Sequence, residues 1–86
     1  MIVKYFLFFT PTCPKCPKIK EYFGTKDIVG DWIDAATPDG LDKAKEYHVM
    51  GVPTVIFFDK DDKEISRAND IESVKKVIEN KSLSDV

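Results

Sequence analysis

The apolar positions of this 86-residue chain change period along its length. Val3-Lys4-Tyr5-Phe6-Leu7-Phe8-Phe9 holds an unbroken aromatic and aliphatic run after Lys4. Such a run fits a strand covered on both faces, as at the centre of a mainly parallel sheet. Thr10-Pro11-Thr12 ends it. A helical period follows, with Ile19, Tyr22 and Phe23 on one stripe and Gly24 as a C′ residue. Thr12 or Cys13 can cap this helix, which is expected to begin near Cys13 or Pro14. Pro17 then falls about one turn in, where its missing N–H and its ring conflict with the helix, so a distorted or delayed first turn is expected. Ile28 to Asp34 is the second strand, best over Asp31 to Asp34 because Gly30 weakens its start.

Thr37 with Pro38, or Asp39, opens a second helix carrying Leu41, Ala44 and Tyr47. Met50-Gly51-Val52-Pro53 breaks the pattern. Thr54 to Phe58 is a β-branched and aromatic strand, Asp59 to Lys63 a turn, and Glu64 to Arg67 a returning strand, so the pair forms a hairpin. Asn69 to Glu72 has the form of a capping box. It precedes an amphipathic helix built on Ile71, Val74, Val77 and Ile78, and residues 81–86 are expected to fray. The order βαβαββα predicts an α/β fold, a four-stranded mixed sheet with helices on both faces.

Composition narrows this to one domain, residues 1–86, whose core is thin for want of length. Forty-three per cent hydrophobic residues and a net charge of −2 describe an ordinary globular chain and give no reason to expect nucleic acid. Two cysteines are too few for a disulfide-stapled secreted miniprotein. The apolar start is short, is interrupted by Lys4, and lacks a small-residue cleavage site, so no signal peptide is read. No apolar run reaches the ~20 residues that span a membrane, and a cytoplasmic protein is the default expectation. The charge is uneven. Lys4, Lys15, Lys18, Lys20 and Lys26 stand against Glu21 alone in the first 26 residues, while the remainder is acidic.

Cys13-Pro14-Lys15-Cys16 changes the picture most. Its spacing lets two sulfurs close a small disulfide ring. A strand-to-helix junction supplies unpaired N–H groups and a partial positive charge, which favour thiolate over thiol. Lys15 adds a cation. Cys13 is expected to be exposed and nucleophilic, and Cys16, one turn in, shielded and resolving. The competing reading is a half-site for zinc or an iron–sulfur cluster. A closed site needs about four ligands, and only His48 accompanies the two cysteines, though a dimer could share a cluster. Placement in a βαβ pattern favours redox chemistry.

Two separated segments resemble the thioredoxin superfamily. One is Phe8-Phe9-Thr10-Pro11-Thr12-Cys13-Pro14-Lys15-Cys16. The other is Ala44-Lys45-Glu46-Tyr47-His48-Val49-Met50-Gly51-Val52-Pro53-Thr54 with the apolar strand after it. The resemblance runs from about Val3 to Glu79 and implies a minimal thioredoxin/glutaredoxin fold. It implies a cis Val52–Pro53 bond against the disulfide, with the Val52 backbone free to pair with an extended substrate segment. It gives Cys13 as nucleophile and Cys16 as resolving thiol, and sets Thr12, Pro14, Lys15, Val52, Pro53, Thr54 and Asp70 around the substrate. No metal and no cofactor beyond the Cys13–Cys16 disulfide are expected. The implied partners are protein disulfides, ribonucleotide reductase being a common client in the family, and a thioredoxin-reductase-type electron donor, with the chain acting as a monomer.

The chain departs from both branches of that family. Leu7 stands where thioredoxins bury an aspartate, and Thr12 where most carry tryptophan. Ser66 and Arg67 replace the Gly-Gly pair with which glutaredoxins admit the glutathione carboxylate, although Asp70 is kept. A protein disulfide reductase is the first reading, a glutathione-dependent glutaredoxin the second, and a metal-binding module without enzymatic activity the third. His48 is read as ending the second helix, Trp32 as packing on its strand, and the lysines after Cys16 as the solvent face of the first helix.

Overall fold

The structure, a computed structural model, describes residues 2–83. Seven elements follow the order read from the sequence: β1 (Lys4–Phe9), α1 (Cys16–Gly24), β2 (Val29–Asp34), α2 (Pro38–Glu46), β3 (Thr54–Phe58), β4 (Glu64–Ala68) and α3 (Ile71–Leu83). The sheet order is β2-β1-β3-β4. β1 and β2 are parallel, and β3 runs antiparallel to both β1 and β4.

Because side chains alternate along a strand, the apolar run of β1 serves two cores at once. Tyr5 and Leu7 join Val55 and Phe57 on one face, beneath Ile19 and Phe23 of α1 and Val74 and Ile78 of α3. Phe6 and Phe8 join Ile56 and Phe58 on the other, covered by Ala44 of α2. Phe8 and Phe57 are wholly enclosed, one on each side, and each such side chain contributes about 1.5–3 kcal/mol through burial.

Local chemistry sets the element ends. Thr37 caps α2, its hydroxyl accepting from the Gly40 amide at 3.1 Å, with Pro38 in the first helical turn. Gly40 is required there, since a Cβ would run into the Asp34 carbonyl. α2 closes in a paired C-terminal turn: the His48 amide donates to the Lys45 carbonyl at 3.1 Å and the Val49 amide to the Ala44 carbonyl at 2.7 Å. This places His48 in the left-handed region, φ 57°, normally a glycine position. In the hairpin turn, Asp59 Oδ1 accepts from the amides of Asp61 and Lys63, which holds its carboxyl below the ordinary 3.8.

Three boundaries and one burial differ from expectation. α1 begins at Cys16, with Lys15 as its N-cap. The Cys13 amide is already bonded to the Thr10 carbonyl at 3.1 Å in a preceding turn. Pro17 therefore falls in the first turn, where a proline is tolerated. The delayed start is the one expected from Pro17. The cap of α3 is Asp70, one residue after Asn69, its Oδ1 accepting from the Ser73 amide at 2.7 Å. Leu41, expected on the buried stripe of α2, is 47% exposed. α3 continues through residues 81–83, where fraying was expected; residues 84–86 lie outside the described residues.

Candidate active site

Strand register assembles the site. Phe8 of β1 pairs with Thr54 of β3, so the segment leaving β1 toward Cys13 lies beside the Val52–Pro53 turn entering β3. Ala68 of β4 pairs with Val55, which brings the start of α3 to the same end of the sheet. A one-residue slip would turn Phe8 and Phe57 out of their cores, so the packing that fixes register also fixes the site.

Cys13 and Cys16 form a disulfide across 5.5 Å between Cα atoms. Cys13 is 8% exposed and Cys16 3%. The expected open Cys13 is corrected: the 10–13 turn and ring closure draw it against the strand end, leaving it only the larger residual opening of the two. No side-chain cap serves the start of α1, and its first turn carries no acidic residue. The first turn of α1 therefore brings no carboxylate of its own to the cysteines, a setting that favours thiolate. Leu7 is wholly buried, and no charged or polar residue is buried among the described residues.

The Val52–Pro53 peptide is cis. Thr54 Oγ1 donates to the Gly51 carbonyl at 2.6 Å, bracing this turn from below. Beside it lies an open groove of about 680 Å³. Of the residues expected around a substrate, Pro14, Lys15, Val52, Pro53, Thr54 and Asp70 line this groove. Thr12 does not, and stands exposed on the turn before Cys13. Asp70 carries a second duty as the α3 cap. The Ser73 amide holds its carboxyl below the ordinary 3.8, helped by the Ser73 side chain and the positive charges of Lys15 and Lys76.

Sequence reading did not anticipate Met50, 97% exposed on the groove, or the contacts of Arg67. The Arg67 guanidinium binds Glu64 and reaches the carbonyls of Tyr47 and His48. Glu64 is held below its ordinary 4.5 chiefly by that hydrogen bond. Two further assignments shift. Lys20 is not simply a solvent-face lysine, since its Nζ lies 3.7 Å from the Phe9 ring centroid and 5.2 Å from that of Trp32. Trp32 is half exposed and donates from Nε1 to the Tyr5 hydroxyl at 2.9 Å. Among the described residues, no group of three or more His, Cys, Asp or Glu side chains is placed to hold a metal ion, and no helix is long and apolar enough to cross a membrane.

A βαβ unit, an antiparallel hairpin and a Cys-x-x-Cys disulfide beside a cis-proline turn define a thioredoxin-fold protein. No family model matches the chain. It is 36% identical over 53 residues to a glutaredoxin-like 8.6 kDa protein in the rubredoxin operon of Clostridium pasteurianum, an alignment covering 57% of this chain and 68% of that one. A probable thioredoxin of Methanothermobacter marburgensis is 39% identical over 59 residues, covering 64% of this chain and 69% of that one. The solved structure of thioredoxin 1 from Thermosipho africanus superposes with a TM-score of 0.71 at 30% identity, covering 92% of this chain and 90% of that one. The chain belongs to the thioredoxin superfamily.

Proposed function

We propose that the protein is a dithiol–disulfide oxidoreductase that reduces disulfides in protein clients. The observation carrying this reading is the Cys13–Cys16 disulfide at a strand-to-helix junction, beside the cis Val52–Pro53 turn and its groove. In the reduced protein the Cys13 thiolate attacks one sulfur of a client disulfide. A Cys13–client bond forms, and the other client sulfur leaves as thiolate. Cys16, deprotonated, then attacks Cys13 Sγ, restoring the internal disulfide and releasing the second client thiolate. Two electrons pass to the client, and its thiolates take up two protons. With Leu7 where thioredoxins carry aspartate, the Cys16 proton leaves to water or to a departing thiolate.

Lys15 and the helix start support the thiolate state of Cys13. Val52 offers backbone pairing to an extended client segment, with Pro14, Pro53, Thr54 and Asp70 around it. A thioredoxin-reductase-type donor resets the disulfide. The working setting is a reducing, cytoplasmic one, with the protein as a monomer and ribonucleotide reductase among the client types. A glutathione-dependent reaction is the second reading, favoured by the glutaredoxin-like relative. Against it stands Arg67, whose side chain lines the groove where a glutaredoxin has glycine.

The test is insulin disulfide reduction with a supplied electron donor. Cys13→Ser is expected to abolish turnover and Cys16→Ser to accumulate the mixed disulfide. Retained turnover in Cys13→Ser refutes the assignment. Comparing glutathione with reductase-coupled recycling separates the two readings.

A further inference from the structure

Arg67 sits on β4, paired with Ile56 of β3, and its guanidinium is held from two sides. Nε donates to Glu64 Oε2 at 2.6 Å and Nη2 to Glu64 Oε1 at 3.0 Å, the paired geometry that fixes a guanidinium plane. The other edge faces the end of α2. Nη1 donates to the His48 carbonyl at 3.4 Å, and Nη2 donates to the Tyr47 carbonyl.

Among the described residues, no backbone amide outside the helices and strands takes those two carbonyls. In the closing turn of α2, the Lys43, Ala44 and Lys45 carbonyls accept the amides of Tyr47, Val49 and His48. The Tyr47 and His48 carbonyls point onward, at the negative end of the helix, where a cation is favourable. Arg67 takes both, across 20 and 19 residues of sequence.

The segment thus gripped leads directly to the cis-proline turn. Val49 packs against the core beneath α2. Beyond it, Met50 is 97% exposed, and a Cβ added to Gly51 would meet nothing. The next attachments are the Thr54 hydroxyl on the Gly51 carbonyl and the packing of Val52. The loop is fixed at its two ends; at the first, the His48 and Val49 amides close back on α2 and Arg67 adds the side-chain tie across to β4.

We infer that Arg67 is a positioning residue for client binding: it ties the His48–Val52 loop to β4, so that the Val52 backbone is presented to an extended client at a fixed height over Cys13. This rests on the proposed reduction of protein disulfides. Arg67 touches neither cysteine, so its loss falls on docking of a polypeptide and leaves the sulfur exchange itself nearly unchanged.

The experiment compares Arg67→Ala, Arg67→Lys and Glu64→Gln with the wild type, each checked for folding by circular dichroism. Kinetics are read with insulin and with a small aromatic disulfide that has no backbone to dock. Amide hydrogen exchange is read residue by residue. A lost charged hydrogen bond corresponds to about tenfold in an equilibrium. Arg67→Ala is accordingly expected to raise KM for insulin about tenfold, with a far smaller change in kcat and in the small-disulfide rate. Amide exchange at Met50 to Val52 is expected to accelerate while that of β1 stays unchanged. Arg67→Lys, which keeps the charge and loses the fork, recovers part of the effect, and Glu64→Gln loses part. Unchanged exchange in the loop overturns the inference. So does faster exchange with unchanged insulin KM, or an equal loss on both substrates, which would place Arg67 at the cysteines. A wild type that reduces the small disulfide but not insulin refutes the client reading itself, and is told apart because it does not depend on Arg67.

Discussion

His48→Gly is expected to stabilise the protein. His48 occupies the left-handed position that closes α2, at φ 57°. A β-carbon in that region costs roughly 1–2 kcal/mol. Glycine removes this cost but adds freedom to the unfolded chain, giving back roughly 0.5–1 kcal/mol. The exposed imidazole has no hydrogen bond among the described residues, and the closing bonds use only the backbone. At the middle of these ranges the net gain is about 0.75 kcal/mol. For a chain of this length it corresponds to a rise of about 3–6 °C in Tm and, with a urea m-value near 1 kcal/mol/M, to a midpoint shift of about 0.5–1 M. Urea titration of the oxidised protein, without reductant, measures it. His48→Ala is the control, because it keeps the β-carbon and gains nothing. Asp62, at φ 61°, is the second left-handed residue. Asp62→Gly is expected to gain less, because the Lys4 Nζ contact at 2.7 Å is lost. Equal midpoints for His48→Gly and His48→Ala would refute the backbone argument.

Gly30→Ala is expected to destabilise by about 1–3 kcal/mol in urea titration. A Cβ there would overlap the Tyr5 ring, which is stacked on Phe23 at 3.8 Å and tethered through its hydroxyl to Trp32, so it cannot swing aside; a neutral outcome would show that it can. Acidification tests the Glu64–Arg67 pair. The folded pKa of Glu64 lies below its ordinary 4.5, so the stability it contributes is complete above that value and is lost as pH falls through the folded value. Glu64→Gln is expected to flatten that part of the stability–pH curve, and an unaltered slope would count against the pair. Replacing Ser66 and Arg67 together by glycine is expected to speed reduction of the Cys13–Cys16 disulfide by glutathione, measured as the rate of thiol appearance. An unchanged rate would mean that these side chains are not what hinders the tripeptide.

Elements with strong local patterns were legible from the sequence. The β1 run, the Thr37–Pro38 start of α2 and the Asp59–Lys63 turn each carry their cause within a few residues. The start of α1 was not, because two local signals compete there. Thr12 and Cys13 look like caps by type, but a turn closes at Cys13 and the helix starts at Cys16, where Pro17 falls in the first turn and its missing N–H costs nothing. Asn69 and Asp70 are equally good caps by type, and the choice falls where β4 leaves the sheet after Ala68. At the site, the cysteines and Pro53 stood out as motifs. Arg67 did not, since its partners Tyr47 and His48 lie in another element and no periodicity records such a contact. The near burial of Cys13 likewise depends on how the turn folds back on its strand, which residue types alone do not state.

The two faces of the sheet are not equally clad. α1 and α3 press Ile19, Phe23, Val74 and Ile78 onto one side, whereas the buried residues of α2 are only Gly40 and Ala44. Local opening starts where least apolar surface must be exposed, which is the α2 side. The cysteines ride on the well-clad half, and the loop to Pro53 hangs from the lightly clad one. The sulfurs thus sit on the half that must expose most apolar surface to open, whereas the turn before Pro53 owes its stillness to two polar ties, Arg67 at one end and the Thr54 hydroxyl at the other.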